Sequence, residues 1–498
     1  MTVFSKHLVF WFLLTLISIL GFGLVIYSTV WGSGLISDSF QYVASARSLA
    51  AGKILGYPDA DGNITPLSQY PPFFSVILAG FEFLGIDGFA AARFLNAALF
   101  VANIWLVGVC ILRVSRSIGF SLFGALLTAV SEVLLEAHAW VMSEPLYIFL
   151  SLLTFLWLIK YFEVSKQCWL LASALAGSLA LLTRYVGLAL FPAAWIVIVS
   201  KPYAARKRKW MDLAWYSLIG LLPMIIWSLR NYLNSGQINN RSLQWVPLTT
   251  KNVYSLLNTI FTWFVPENLV NGRERWAVPL LIVLLILGGF AKYFVRQNSS
   301  FEQRGMAGFH HPLFSLHALY IPLYIIMVIM SKMLLDNKIG MTDRMFSPTL
   351  LSLIIIGSIL FSRLWLIDRN LLRILLLAAA FYLVIYSLTI SAPVINKYHQ
   401  QGIGLARYTW QTSPVIQSLI NYNSLPIYSN SPSTLYFWTG RTGGSILALE
   451  NLINSGSMDK AVLVIFYHIP PNNRVNRLES RLTLLDSDPL VKIFLYEP

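Results

Sequence analysis

Charged residues are scarce in this sequence. Only 12% of its 498 residues are Asp, Glu, Lys or Arg, whereas 56% are hydrophobic. A typical soluble domain carries about 25% charged residues. Because the shortage of charge accompanies many long apolar segments, the composition excludes an ordinary soluble enzyme and predicts a protein that crosses a membrane repeatedly.

Cysteine is nearly absent as well. The two cysteines, Cys110 and Cys168, both fall within apolar segments. This placement excludes a disulfide framework and a cysteine-based metal site.

Basic residues outnumber acidic ones, giving a net charge of +14. The densest basic run, KPYAARKRKW at 201–210, lies between two apolar segments. A cytoplasmic loop has this composition under the positive-inside rule. The basic charge therefore indicates membrane orientation, and we expect no nucleic-acid partner.

Eleven apolar segments have lengths near the roughly 20 residues of a spanning helix. They lie at 8–31, 89–112, 118–136, 143–162, 168–183, 185–200, 213–233, 276–294, 313–335, 346–362 and 371–391. The two segments around Arg184 can also be joined into one long helix, but the basic loops would then change sides. Loops rich in Lys and Arg alternate with the others, which predicts a cytoplasmic N-terminus and an outer C-terminus. We expect a multi-pass protein of the plasma (inner) membrane.

Two regions are predicted outside the bilayer. The first outer loop, 32–88, is polar at its start and contains the short apolar run PPFFSVILAGFEFLG, which we interpret as a helix at the membrane surface. The tail, 392–498, has strand-length apolar runs at 425–430, 461–467 and 491–497, with helical patterns at 413–422 and 445–455. The predicted fold is thus an all-α polytopic membrane domain, 1–391, with about 11 transmembrane helices, followed by a small C-terminal α/β extracytoplasmic domain, 392–498.

Acids and arginines collect at the predicted outer helix ends. Asp38 begins the first loop, and the segment SEVLLEAHAWVMSEPL contributes Glu132, Glu136, His138 and Glu144. The segments TRYVG, LRNYL and TDRMFSP place Arg184, Arg230 and Arg344 at the same level. Arginine binds phosphate, and a carboxylate can take a proton from a hydroxyl group. This set suits a sugar on a polyprenyl phosphate, whose phosphate the arginines would stabilise as it departs.

Simpler explanations exist for each residue. Asp38 can cap the helix that follows it, and Glu144 beside Pro145 is an ordinary helix start. Arg184 and Arg344 can anchor helix ends at the lipid headgroups. Glu132 and Glu136, four residues apart and near His138, are weak metal candidates, although two acids on a solvated helix face are commoner. We therefore expect no required cofactor and leave a divalent metal open.

Several motifs together resemble the type-C glycosyltransferase superfamily. DSFQYVASARSLAAGKI is similar to the family's first-loop Asp-x-x-x-Tyr motif, and SQYPPFFSVILAG to the end of that loop. FAAARFLNAALF, SEPLYIFL, TRYVGLALFP and DRMFSP are similar to later family segments. The nearest resemblance is to bacterial lipid-carrier-dependent enzymes of the family-39 type, related to protein O-mannosyltransferases and aminoarabinose transferases.

The resemblance implies roles for particular residues. It implies that Asp38 is the catalytic base and Glu144 the second acid. It also implies donor phosphate and lipid contacts, which fall to Tyr42, Tyr70, Arg93, Arg184, Tyr185 and Arg344. The sequence departs from some relatives in having Asp38-Ser39 rather than Asp-Glu, and Tyr70 where they have Lys.

The implied function is transfer of a sugar from a polyprenyl-phosphate carrier, such as undecaprenyl phosphate, to an extracytoplasmic lipid, glycan or protein. One base and a phosphate leaving group predict inversion at the anomeric carbon. The alternative is a transporter or flippase of a lipid-linked substrate. Transporters, however, place ionisable residues near the bilayer midplane, and here these residues cluster at one edge.

Overall fold

The computed structural model describes residues 3–59, 63–200, 206–239, 241, 243–267, 311–337, 339–422, 425–469 and 473–498. Helices dominate as far as Gln401. They are α1 (Val3–Ser28), α2 (Ser37–Ala50), α3 (Phe73–Phe83), α4 (Gly88–Ser115), α5 (Ile118–Val130), α6 (Glu132–Ala139), α7 (Glu144–Val164), α8 (Gln167–Leu181), α9 (Leu190–Ser200), α10 (Arg206–Ser235), α11 (Thr250–Thr262), α12 (Pro312–Leu334), α13 (Asp343–Leu364) and α14 (Asn370–Gln401).

Every predicted span that lies in the described residues is helical, and the predicted span 276–294 lies outside them. Seven helices are long and apolar enough to cross a membrane: α1, α4, α7, α10, α12, α13 and α14. Helices α5 and α6 together form an eighth, bent by 54° at Ser131. The predicted spans 168–183 and 185–200 are shorter apolar helices, the second beginning with a 3₁₀ turn at Tyr185–Ala189. The polytopic helical fold is confirmed, with seven or eight spans of full length among the described residues.

The first loop folds against the end of this bundle. Helix α2 packs on α3 and α4, and a short antiparallel hairpin joins β1 (Gly56–Pro58) to β2 (Ile64–Pro66). Arg230 of α10 donates hydrogen bonds to the carbonyl oxygens of Leu67, at 2.7 Å, and Leu55, at 3.2 Å. This arginine therefore ties the loop backbone to the bundle.

Three separate stretches of chain meet where the first loop begins. Gly34 pairs with Trp140, and Leu35 pairs with Gly404, each as an isolated parallel bridge. A Cβ on Gly34 would lie 2.5 Å from the ring of Trp140, so only glycine permits this approach. The junction fixes the start of α2 against the linker between α6 and α7.

The tail forms a mixed five-stranded sheet in the order β4-β3-β5-β7-β6. The strands are β3 (Ile427–Ser429), β4 (Gly444–Ser445), β5 (Ala461–Phe466), β6 (Thr483–Ser487) and β7 (Val491–Tyr496). Strand β3 is parallel to β4 and β5, whereas β7 is antiparallel to β5 and β6. All six residues of β5 are buried, as expected for a central strand covered on both faces.

Short helices connect and cover the strands. They are α15 (Tyr408–Gln411), α16 (Pro414–Ser418), α17 (Pro432–Thr439), α18 (Ile446–Asn454) and α19 (Asn473–Glu479), with a 3₁₀ turn at Leu419–Tyr422. The α/β character of the tail is confirmed. Helix α14 continues to Gln401, past the boundary predicted after residue 391.

Candidate functional site

Asp38 lies in the first turn of α2 but does not cap it. The backbone N–H of Ile36, at the N-cap, donates to the side-chain oxygen of Ser39 at 3.2 Å. The capping explanation for Asp38 is therefore not what the structure shows. Its carboxylate, 22% exposed, still lies where a helix dipole favours negative charge.

Helix α2 is hydrogen-bonded to the linker before α7. The Ser39 hydroxyl donates to the carbonyl oxygen of Val141 at 2.9 Å, and the Tyr42 hydroxyl lies 3.1 Å from Ser143 Oγ. Glu144 follows directly, in the first turn of α7, with Pro145 behind it supplying no N–H. Two helix N-termini thus converge, and each contributes an acid.

The acids meet two arginines. Glu144 is completely buried, and its Oε1 lies 2.7 Å from Arg184 Nη1 and 3.5 Å from Arg344 Nε. Arg344 Nη2 also lies 3.7 Å from Asp38 Oδ2. We call Asp38, Glu144, Arg184 and Arg344 the carboxylate–guanidinium cluster. Its members come from α2, α7, the turn after α8 and α13, so the fold joins residues more than 300 positions apart.

The two guanidiniums keep donors that are weakly engaged. Arg184 Nη2 lies 3.5 Å from the sulfur of Met345, and Arg344 Nη1 lies 3.8 Å from the sulfur of Met142. A thioether is a weak acceptor. Among the described residues, the buried Arg184 Nε and Glu144 Oε2 have no hydrogen-bond partner. An incoming anion can therefore take the arginine N–H groups that now face the two thioethers.

Tyrosines form one wall of the cluster. The ring centroids of Tyr42 and Tyr70 lie 5.0 Å apart, and the Tyr185 hydroxyl donates to the Ser68 carbonyl oxygen at 3.0 Å. Burial raises the pKa of Tyr42, and burial together with the charge of Asp38 raises the pKa of Tyr70. Both phenols therefore stay protonated at neutral pH and can donate hydrogen bonds.

Arg241 is a further cation near these tyrosines, and no sequence motif indicated it. Its charge acts on the hydroxyls of Tyr70 and Tyr185 and lowers their pKa values, opposing the burial that raises them. The guanidinium also pairs with Asp336 at 3.5 Å. No residue pattern around Arg241 marked it, because it lies in an irregular segment between α10 and α11.

Arg93 lies apart from the cluster. Its guanidinium donates to Thr29 Oγ1 at 3.0 Å and to the Ile26 carbonyl oxygen at 3.2 Å. These groups belong to the end of α1 and the residue after it. Arg93 therefore ties α4 to α1, and its hydrogen bonds within the described residues reach none of the other predicted site residues.

The weak metal candidates have other partners. The ring nitrogens of His138 lie 2.6 Å from the Leu134 carbonyl oxygen and 3.1 Å from Asn103 Nδ2. Glu136 accepts a hydrogen bond from Tyr398 at 2.9 Å, and Glu132 lines a separate cavity beside Asp343. Within the part of the chain that the structure describes, no three His, Cys, Asp or Glu side chains group as metal ligands. The structure therefore does not bring these three weak candidates together as a metal site.

Comparison with known proteins gives a family match over part of the chain and a fold match over nearly all of it. Residues 40–243 match the family model of dolichyl-phosphate-mannose–protein mannosyltransferases. No curated protein matches the sequence.

Two solved structures share the fold. The structure of ArnT from Cupriavidus metallidurans bound to undecaprenyl phosphate superposes with a TM-score of 0.54 at 13% identity, covering 99% of this chain and 98% of that one. Archaeal oligosaccharyltransferase AglB from Archaeoglobus fulgidus, in complex with an inhibitory peptide and a dolichol-phosphate, gives 0.53 at 12% identity, covering 93% and 70%. The fold implied by the sequence motifs is confirmed over nearly the whole chain.

Proposed function

We propose that the chain is a type-C glycosyltransferase and that it transfers a sugar from a polyprenyl-phosphate carrier to an acceptor outside the cytoplasm. The proposal is supported by the carboxylate–guanidinium cluster, in which Arg344 contacts both Asp38 and Glu144. A proton acceptor and an anion-binding pair thereby share one site beside the membrane-spanning helices. The acceptor is a lipid, a glycan or a protein.

The chemistry follows from the positions of these charges. The acceptor hydroxyl attacks the anomeric carbon, and Asp38 takes its proton. The bond from that carbon to the phosphate oxygen breaks, and its electron pair stays on the carrier phosphate. Attack opposite the leaving group inverts the anomeric configuration. General-base catalysis of this kind contributes about 10²–10⁴-fold.

The guanidiniums receive the carrier phosphate. In the structure the charges of the two arginines and the two acids of the cluster balance. The phosphate must therefore compete with the two carboxylates for the N–H groups of the arginines. Arg184 and Arg344 can exchange their thioether partners, Met345 and Met142, for phosphate oxygens, which are far stronger acceptors. Arg241 adds positive charge on the side of Tyr70. Negative charge grows on the phosphate as the bond breaks, and these groups stabilise it.

Glu144 is best placed to position the arginines. Its side chain has no solvent exposure, and its Oε1 contacts both guanidiniums. A buried, doubly paired carboxylate is poorly placed to exchange protons with an acceptor. The role implied by the resemblance, a second catalytic acid, remains a prediction, and we assign Glu144 the positioning role.

The location of the charges favours transfer over transport. Asp38, Glu144 and Arg344 all lie in the first turns of helices, at one end of the bundle. A transport protein that moves its substrate across the bilayer needs ionisable groups near the midplane. We infer that this end faces the outside of the plasma membrane, with the N-terminus in the cytoplasm.

The test is substitution of the proposed base. Asp38→Asn keeps the size of the side chain and removes its ability to take a proton. We expect transfer from a polyprenyl-phosphate sugar, measured in detergent, to fall at least about 100-fold, with carrier binding retained. Asp459→Asn makes the same change on an exposed residue of the outer domain and should leave transfer unchanged. If the Asp38→Asn variant transferred sugar at a rate within threefold of wild type, Asp38 would not be the catalytic base.

A further inference from the structure

A cavity separate from the cluster lies between the first loop and the outer domain. Its volume is about 550 Å³, within the usual range for a ligand pocket. One wall is the α2 face that carries Ala44, Arg47 and Ser48, and the other is formed by β3 and the segment after α17. No role assigned above uses this cavity.

The lining is basic and contains aromatic rings. Arg47, Lys53 and Arg441 line it, and its described lining residues include no Asp or Glu. The charge of Arg47 is offset by two carboxylates, Glu82 at 3.1 Å and Asp87, so the positive charge of the lining comes from Lys53 and Arg441. Lys53 is exposed at the rim. The cavity therefore favours an anionic ligand.

The cations deeper in the cavity are held in place. Arg441 donates to the carbonyl oxygens of Tyr422, at 3.4 Å, and Leu425, at 3.1 Å. Arg47 donates to the Tyr436 hydroxyl at 3.4 Å, and its guanidinium lies 5.6 Å from the centre of that ring. Fixed donors lose little entropy when a ligand binds.

Two tyrosines give the walls an apolar character as well. Tyr436 packs edge-on against Phe40 of α2, with ring centroids 4.9 Å apart. Tyr428 also lines the cavity, and its ring covers Gly444 closely enough that a Cβ there would clash at 2.3 Å. A tyrosine ring offers a flat apolar face and a polar tip. A saccharide needs the same combination, because its rings have apolar C–H faces and hydroxyl edges.

The cavity is too far from Asp38 for its ligand to react there. Arg47 is nine residues after Asp38, which is about 14 Å along a helix and half a turn from the same face. The two sites therefore lie on opposite faces of α2. A molecule that occupies both must be extended and bend around the start of the helix.

We propose that this cavity binds an acidic glycan, a remote part of an extended acceptor whose near end reaches Asp38. The acceptor role rests on the proposed glycosyl transfer, whereas the binding itself does not. The cations of the lining favour an anionic saccharide over a neutral one. The tyrosine rings favour a saccharide over a free anion. Binding at this site selects the acceptor without taking part in the chemistry.

The experiment measures binding to the full-length protein in nanodiscs by isothermal titration calorimetry, without any sugar donor. The probes are trigalacturonate, the neutral trisaccharide maltotriose and inorganic phosphate. We expect trigalacturonate to bind at least about tenfold more tightly than either of the others, since both charge and ring contacts are needed. Equal affinity for maltotriose, or for phosphate alone, would overturn the proposal.

Two variants that make the cavity more negative locate the site. Lys53→Glu on the loop wall and Thr442→Glu on the domain wall should each weaken trigalacturonate binding about fivefold or more, because each places an anion in the cavity. Lys251→Glu makes the same charge change as Lys53→Glu at an exposed position outside the cavity and should have no effect. Unchanged affinity in both cavity variants would place the saccharide elsewhere.

These results are independent of the base assignment. If Asp38→Asn retained transfer while trigalacturonate still bound through Lys53 and Thr442, the proposed mechanism would fail and the binding site would stand. The reverse result, lost transfer in Asp38→Asn without acidic-glycan binding, would overturn only the cavity proposal.

Discussion

Glu144→Gln separates positioning from proton transfer most sharply. The substitution preserves side-chain size and keeps an oxygen that can accept from Arg184, but it removes the negative charge. In the structure that charge lies 2.7 Å from one guanidinium and 3.5 Å from another. After the change only Asp38, at 3.7 Å from Arg344, remains to balance two cations.

The size of the effect follows from burial. Breaking a buried ion pair by removing one partner costs about 3–5 kcal/mol. Glu144 has no exposure, whereas Arg184 is 15% and Arg344 32% exposed, so both cations reach some water. We therefore expect a loss near the lower limit, about 3 kcal/mol, seen as a lower unfolding temperature in detergent. Glu163→Gln is a control, because Glu163 is 42% and its partner Arg113 30% exposed, and surface pairs contribute little.

Function should change in a characteristic way. With one negative charge removed, the cluster carries net positive charge, and carrier phosphate should bind at least as tightly as to wild type. Transfer should slow about tenfold because the guanidiniums are less well placed, while the pH dependence of kcat keeps its shape because Asp38 still takes the proton. Weaker carrier binding with unchanged stability, or loss of the acidic limb of the pH profile, would refute the positioning role.

Two further substitutions probe the phosphate contact and the loop junction. Arg344→Lys keeps the positive charge but loses the planar guanidinium, which can donate two parallel hydrogen bonds to phosphate. It should weaken undecaprenyl phosphate binding about tenfold in a direct titration. Equal affinity in this variant would argue against contact between Arg344 and phosphate. Gly34→Ala places a methyl group against Trp140 and should destabilise the protein by about 1–3 kcal/mol in thermal unfolding; wild-type stability would show that the junction adapts.

The sequence predicted the parts of the fold that depend on hydrophobic length. Long apolar segments became helices because a helix satisfies its own backbone hydrogen bonds within a bilayer. The bend at Ser131 was not visible, since the apolar pattern continues through it from α5 into α6. The end of α14 was also misplaced, because its last two turns are polar and extend beyond the apolar run that marked the span.

The cluster was foreseeable from residue type and helix-end position together. Asp38, Glu144, Arg184 and Arg344 each lie at a helix terminus on the same predicted side. Arg93 satisfied the same criteria, yet it bonds to the end of α1, a partner set only by how α4 packs. His138 likewise found Asn103 through helix packing. Which polar residues serve the site and which serve the scaffold depends on tertiary contacts that a single sequence does not display.

The most direct test of the account is a structure of the protein with undecaprenyl phosphate. We expect the phosphate beside the guanidiniums of Arg184 and Arg344, displacing the sulfurs of Met345 and Met142, with Asp38 facing the same space. A phosphate bound away from both arginines, for example in the cavity beside Glu132 and Asp343, would contradict it.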